Sequence, residues 1–416
     1  MQEARTNRRS ELVAEVTAHR QDPKYLHEYA VGVSQKDPLP TTNNQITGQG
    51  KCEAQRCMSD SRAPGTDDVP PELLKQKLSE SDTSGSPAMS DEPPTELAKR
   101  SLEVLQRMDA EAAIPEIWNT AEVVPIPNGY PLTDMNNYRL VYLIPSMIKR
   151  MCSIVANRIH RALAESTFFV PEQADFRSRQ ECMSHVLMVV DAMQRRFIRE
   201  ELPTYACFID FGATFVTIPH EALFLKMYLA GIRDRNLAFF RALYLDSWFC
   251  VRLGDGARTP KIRMKRGMRE GDPSSPLLFK IFINDILDRC REYGVEFDCA
   301  SADKPEKEGP HGRRLAGLIF VDKVLLLAPN PEALAASMRE VSSWADRSEL
   351  TIGASNCGVM VIHGDSKSTR DRPWLLQDKD VPIVDKYRLL RMHITPTLDV
   401  RAQLREIIAE MKSAEH

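Results

Sequence analysis

The chain has 416 residues, of which 43% are hydrophobic and 27% charged, with a formal net charge of -3. That length supports two or three domains and a substantial core. The near-neutral balance excludes a partner selected by overall charge, so a charged partner must meet a local patch. No run reaches the roughly 20 apolar residues of a membrane span, and MQEARTNRRS at the N-terminus lacks the apolar core of a secretory signal. Nine cysteines are scattered through apolar stretches such as YACFIDF and SWFCVRL. That pattern implies reduced, buried thiols and a nuclear or cytoplasmic protein, not a secreted one. Cys52 and Cys57 are the only near pair, and no histidine stands beside them at zinc-ligand spacing.

In chain order, residues 1–62 are polar and weakly periodic, and SQKDPLPTTNNQITGQGK has the composition of a disordered or linker segment. SESDTSGSPAMSDEPPT at 79–95 is a second such stretch. Between them, APGTDDVPPELLKQKL predicts a turn and a short helix opened by Pro70 and Pro71. From Glu96 to about Val361 apolar periodicity is continuous. Residues 96–112 predict a helix and AEVVPIP a strand. LIPSMIKRMCSIVANRIHRALAES sets Ile144, Met147, Ile148, Met151, Ile154, Val155, Ile159 and Leu163 at the helical period. CMSHVLMVVDAMQRRFIREEL predicts another helix, and TYACFIDF a strand rich in β-branched and aromatic residues. IPHEALFLKMYLAG reads as a helix stopped by Gly231, and SWFCVRLG and TPKIRMKRG as paired strands. SSPLLFKIFINDILDRCREYG, with Pro276 near its start and Gly294 past its end, predicts one long helix. GLIFVDKVLLLA predicts a tight hairpin with strands over 317–321 and 324–328, and with Asp322 and Lys323 at its tip. NPEALAASMREVSSWADRSE predicts a helix with Asn330 as N-cap and Pro331 at N1. LTIGASNCGVMVIHG predicts another hairpin. Helices and strands mix without regular βαβ alternation, so the expected class is α+β.

Three clusters carry candidate chemistry. Asp210 ends the apolar strand CFID, where a carboxylate is costly unless paired, solvated or bound to a cation. Asp322 sits at the hairpin tip. Two acids on two strand ends, meeting in one sheet, form a pair that needs a divalent cation to offset its repulsion. Pairs of this kind hold the two metals, about 3.5–4 Å apart, of polymerases and nucleases. The third cluster is RTPKIRMKRGMREGDPSSPLLF, with six basic residues and no acid from Arg258 to Arg269. Strand alternation there puts Lys261, Arg263 and Lys265 on one side and Ile262 and Met264 on the other. The result is a basic stripe for tracking phosphates, to which Arg258, Arg266 and Arg269 add charge. The turn REGDPSSP leads into a helix whose first amides face an anion.

Together these segments resemble the reverse transcriptase domain of non-LTR (LINE-type) retrotransposons, from about Pro64 to Thr395 with a gap at 79–95. PGTDDVPPELLK is similar to the family's opening finger segment. WNTAEVVPIPNG and NNYRLVYLIPSMIKRMCSIVANRI resemble its next finger block, and PEQADFRSRQEC follows in place. FIDFGATFVTIPH resembles the motif of the first catalytic aspartate, and RGMREGDPSSPLLFKIFINDIL the motif that grips template and nucleotide. FVDK stands where the family has an aromatic residue, a variable one and two aspartates. YRLLRMHIT stands at its primer-grip-like segment.

The resemblance implies a right-hand polymerase with fingers and palm, an antiparallel palm sheet, and magnesium-dependent DNA synthesis on an RNA template, with Mn2+ as an alternative ion. It implies that Asp210, the Phe211 carbonyl and Asp322 are metal ligands. Phe215 is implied as the gate against a ribose 2′-hydroxyl, and Arg139 as the contact to the incoming deoxynucleoside triphosphate. Gly271, Pro273 and Ser275 are implied to shape the nucleotide and template pocket. The expected organisation is a linker at 1–62, a fingers-like region at 63–204 and a palm at 205–361. Primer-grip and truncated thumb segments are expected at 362–416, so the thumb is largely missing and the chain reads as a fragment.

The departures fall mostly at polar positions. Lys323 replaces the second aspartate of the hairpin, Asn128 a phosphate-binding lysine, and Glu270 a glutamine. Ala213 and Val216 replace a lysine and an aspartate, Asn356 a lysine, and Arg391 the primer-grip glycine. Two unit charges 4 Å apart interact by about 4 kcal/mol at an effective dielectric near 20, and a divalent ion beside an ammonium roughly doubles that, unfavourably. The expectation is a tip that was a two-aspartate metal site, where Lys323 now partly substitutes for the metal by pairing with Asp322 or Asp210. Catalysis is then lost or strongly reduced and the divalent ion held weakly. The alternatives are an active RNA-directed DNA polymerase and a non-catalytic protein that binds RNA template and DNA primer.

Overall fold

The structure is a computed structural model. It describes residues 39, 46, 65–67, 69, 96–127, 129–134, 137–166, 168–173, 182–211, 214–253, 256–296, 314–370, 372–390 and 392–399. The helix expected after Pro70, the stretch at 79–95, and Asn128, Ala213 and Arg391 lie outside the described residues. Most of the expected linker at 1–62 does too. Its two described residues, Leu39 and Ile46, are buried. The Leu39 amide donates to the Gly231 carbonyl at 3.0 Å, and Gln106 Nε2 donates to the Ile46 carbonyl at 2.8 Å.

The chain runs through α1 (Glu96–Glu111), β1 (Thr120–Pro127), β2 (Tyr138–Leu143), α2 (Ser146–Glu165), α3 (Cys182–Glu200) and β3 (Thr204–Asp210). Next come the single turn α4 (Thr214–Thr217), α5 (His220–Leu229), α6 (Asp234–Leu245), β4 (Trp248–Val251), β5 (Ile262–Arg263) and α7 (Ser275–Ile283). Then follow β6 (Val295–Glu296), β7 (Arg314–Leu315), β8 (Gly317–Phe320), β9 (Lys323–Ala328), α8 (Pro331–Arg347) and β10 (Gly358–Ile362). The described chain ends with α9 (Lys367–Arg370), β11 (Leu375–Leu376), β12 (Lys379–Asp380), β13 (Tyr387–Leu389) and β14 (Met392–Ile394). Mixed helices and sheets without βαβ alternation accord with the α+β expectation. Among the described residues, no helix is long and apolar enough to cross a membrane.

Two compact units form. One comprises Met1–Phe169 and Phe215–Phe282, the other Val170–Thr214 and Ile283–His416. The first unit holds the mixed sheet β2-β1-β4-β5, in which β1 pairs antiparallel with β2 and parallel with β4. Its helix α2 buries the stripe read from the sequence from Met147 to Leu163, and Ile144, just before the helix, is buried with it. At about 1.5–3 kcal/mol for each large side chain taken out of water, that stripe is a main source of the unit's cohesion. Helix α5 stops where Gly231 takes φ +89, a conformation glycine adopts without a Cβ clash.

The second unit holds the sheet β10-β3-β9-β8, in which every neighbouring pair is antiparallel. On one face Val186, Val189 and Met193 of α3 pack with Phe208, Leu325 and Met360 of the sheet and with Leu389 and Ile394 of β13 and β14. Helix α8 packs on β9 and β3, and its Trp344 meets the Phe211 ring edge-on. The Asn330 side chain accepts from the Ala333 amide at 2.8 Å, as the N-cap reading expected.

Three local expectations are corrected. The helix expected over 274–294 stops at Ile283. Beyond it the backbone continues in tight turns, such as the Ile286 amide to the Ile283 carbonyl at 3.1 Å, while the Asn284 side chain accepts from the Val170 amide at 3.1 Å and Asp285 from Trp344 Nε1 at 3.0 Å. The hairpin expected over 350–364 is a single strand, β10, preceded by a 3-10 turn at Ala354–Asn356. Lastly, the loop between β8 and β9 is Val321-Asp322, one residue earlier than expected, and Lys323 is the first residue of β9. Val321 takes φ +50, a strained conformation for a β-branched side chain.

Candidate active site

Asp210 is the last residue of β3 and Lys323 the first of β9, and the two are direct partners in the antiparallel register. Residues opposite each other project to the same face of a sheet, so the one-residue placement of the loop aims Lys323 at Asp210. Lys323 Nζ lies 2.8 Å from Asp210 Oδ2, with the side chains 31% and 18% exposed. A half-sheltered pair of this kind adds about 0–1 kcal/mol to stability, because desolvation of the two charges offsets their attraction. Of the two partners left open for Lys323, Asp210 is the one it takes.

The surroundings hold Asp210 in place. Its carbonyl accepts from the Gly353 amide at 3.0 Å, and its amide donates to Cys357 Sγ at 3.4 Å. The Phe211 amide donates to the Asp322 carbonyl at 3.0 Å, tying the strand end to the loop. Asp322 is therefore at the same end of the same sheet. Its carboxyl titrates above the usual range, because burial disfavours its charge and Asp210 adds a like charge, while Lys323 opposes both. Burial and the Asp210 charge also push the Tyr387 hydroxyl upward, and the Tyr387 ring stacks on Phe208 at 4.2 Å.

A divalent cation entering this set would compete with groups already in place. The Asp210 carboxylate already holds an ammonium, and the Phe211 carbonyl already accepts from Thr214 Oγ1 at 2.6 Å. Among the described residues, no group of three or more His, Cys, Asp or Glu side chains is arranged to hold a metal.

The residues expected to handle nucleotide lie in the first unit, Phe211 excepted. Arg139 on β2 pairs with Glu270 Oε2 at 3.3 Å. Gly271 takes φ +97, and a Cβ there would lie 3.3 Å from the Tyr142 carbonyl, so the turn requires glycine. Asp272 accepts from the Ser274 amide at 2.8 Å and hydroxyl at 2.7 Å, closing the turn around the exposed Pro273. Ser275 is buried and donates to the Arg269 carbonyl at 2.9 Å. Phe215 stacks on Phe279, with ring centroids 4.8 Å apart.

The six basic residues do not make one surface. Arg269 is fully buried, with its guanidinium donating to Asn119, Ser247 and the Leu243 carbonyl. It ties the turn to the start of the two central strands, β1 and β4, and is withdrawn from any nucleic acid. Lys261 pairs with Glu116 at 2.6 Å and Arg258 with Glu122 at 2.8 Å, while Arg263 donates to the Leu245 carbonyl at 2.7 Å. Lys265 and Arg266 are exposed. Met264 is buried, but Ile262 is 44% exposed, so the expected apolar back holds only at Met264. Sequence reading also missed Glu122, whose side chain is 2% exposed and held by Arg252 and Arg258. Their hydrogen bonds pull its carboxyl down to about 2. The available signal was an acid inside the apolar strand TAEVVPIP, which needs a partner.

With this geometry in hand, comparison with known proteins is direct. A family model described as Reverse transcriptase (RNA-dependent DNA polymerase) matches residues 126–387. The chain is 23% identical over 283 residues to the Retrovirus-related Pol polyprotein from type-1 retrotransposable element R2 of Popillia japonica, covering 67% of this chain and 37% of that protein. It is 22% identical over 262 residues to the RNA-directed DNA polymerase from mobile element jockey of Drosophila funebris, covering 62% of this chain and 27% of the relative. The chain thus spans well under half the length of these curated relatives. They agree with the resemblance to non-LTR retrotransposon reverse transcriptases drawn from the motifs. Apo telomerase from Candida tropicalis, truncated from its C-terminal domain, aligns with a TM-score of 0.47 at 10% identity, covering 73% of this chain and 60% of that one.

Proposed function

Because the chain belongs to the reverse transcriptase (RNA-dependent DNA polymerase) family, we propose that it is a retroelement-derived relative whose polymerase activity is lost or strongly reduced. In this reading residues 63–204 supply fingers and residues 205–361 the palm, whose two acids Asp210 and Asp322 belong to the second unit. The ancestral partners are an RNA template, a DNA primer, deoxynucleoside triphosphates and Mg2+ or Mn2+. The observation that carries the proposal is the 2.8 Å pair between Lys323 and Asp210. A two-metal site works by setting carboxylates against cations. Here one carboxylate position carries an ammonium, and that ammonium neutralises a remaining carboxylate. A metal entering beside it loses a ligand and gains a repulsion, and a few kcal/mol in the barrier is a hundredfold or more in rate. What remains is the capacity to hold nucleic-acid strands on exposed cations such as Lys265 and Arg266.

The test is primer extension on an RNA template with Mg2+ and, separately, Mn2+. The unmodified chain is expected to give no product above that of Asp210→Ala, while Lys323→Asp gains measurable extension. Robust extension by the unmodified chain, abolished in Asp210→Ala, overturns the proposal.

A further inference from the structure

Arg139 presents the guanidinium of β2 to solvent with 70% of its side chain exposed, and its Nε donates to Glu270 Oε2 at 3.3 Å. The Glu270 side chain is only 29% exposed. Its backbone is fixed from both sides. Arg269 before it is clamped by Asn119, Ser247 and the Leu243 carbonyl. Gly271 after it is locked at φ +97 against the Tyr142 carbonyl. The carboxylate is therefore delivered to one place, beside Arg139 and close enough to the Tyr142 hydroxyl, on the same strand, for its charge to be felt there. An ion pair this exposed adds little to stability. Its consequence is for ligands. A polyanion that binds the remaining N–H groups of Arg139 must lie beside that carboxylate as a like charge.

We propose that Glu270 is the specificity-determining residue of this cradle, an internal anion that occupies Arg139 and excludes polyphosphates, including deoxynucleoside triphosphates. The inference rests on the reading of Arg139 as a nucleotide contact and deepens it. The second unit neutralises an acid with an internal ammonium at Lys323, and the first unit neutralises a guanidinium with an internal carboxylate at Glu270. Each unit thus carries its own counter-charge in place of a ligand.

The test is calorimetric titration of inorganic tripolyphosphate, and of a deoxynucleoside triphosphate, into the full chain at low salt with EDTA present. Glu270→Gln keeps the side chain's shape and removes its charge. It is expected to bind tripolyphosphate at least tenfold more tightly than the unmodified chain. The gain is expected to shrink as salt screens the repulsion and to vanish in Glu270→Gln/Arg139→Ala. Equal affinity in the unmodified chain and Glu270→Gln, or a gain that survives removal of Arg139, overturns the proposal. No metal or primer enters this measurement, so its failure leaves the reading of Lys323 standing, and primer extension decides that reading separately.

Discussion

Gly317→Ala is expected to cost the second unit about 4 kcal/mol or more, or to prevent it from folding. Gly317 opens β8 and pairs with Leu326 of β9. A Cβ built there lies 1.8 Å from the Leu325 carbonyl oxygen and 2.9 Å from its carbon. Both are backbone atoms of a strand bonded on its other side to β3, so they cannot yield alone. Moving β9 away also drags Lys323 off Asp210, since both lie in the same ladder. Gly358 provides the contrast. There a Cβ meets the Val384 side chain at 2.7 Å, and a side chain can rotate. Urea unfolding followed by the buried Trp344 should therefore show a large drop in midpoint for Gly317→Ala and a smaller one for Gly358→Ala. An unchanged midpoint for Gly317→Ala contradicts the strand geometry described above.

Glu122→Gln is expected to destabilise the first unit by about 2–3 kcal/mol at pH 7. Glu122 accepts from Arg252 at 2.8 and 2.7 Å and from Arg258 at 2.8 Å, and these bonds lower its carboxyl from 4.5 to about 2. A shift of that size corresponds to about 3 kcal/mol, reduced because both arginines are about half exposed and screened by solvent. The sign follows from proton uptake. Below pH 4.5 the unfolded chain protonates this carboxyl while the folded chain does not. The stabilisation is therefore complete above 4.5 and lost as the pH falls towards 2. Denaturation at pH 7 and pH 3 should show the gap between the unmodified chain and Glu122→Gln narrowing at the lower pH. A gap of equal size at both pH values contradicts the role given to these arginines.

The apolar framework was readable because it follows local periods. The α2 stripe lies where helical spacing puts it, and β3 and β9 lie on continuous apolar runs, β9 beginning one residue early at Lys323. The order of motifs also pointed to the family that residues 126–387 match. What escaped depended on partners distant in sequence. The β8–β9 loop was misplaced by one residue because Val321 is β-branched and apolar, the usual signature of a strand, yet it makes the turn at φ +50. That slip left open which acid Lys323 meets, since only Lys323 in the strand faces Asp210. Arg269 read as one more cation in a basic run, but its partners stand at 119, 243 and 247. Glu270 was visible as a departure, but its pairing with Arg139 required two segments 131 residues apart to meet.

The central claim is that the Lys323 ammonium holds the place of a cation against Asp210. Titration of Mn2+ into the full chain, read by the paramagnetic signal of the free ion, addresses it most directly. The account predicts no saturable binding at millimolar Mn2+ for the unmodified chain, at least tenfold tighter binding for Lys323→Asp, and loss of that gain in Lys323→Asp/Asp210→Asn. An unmodified chain that binds Mn2+ as tightly as Lys323→Asp contradicts it.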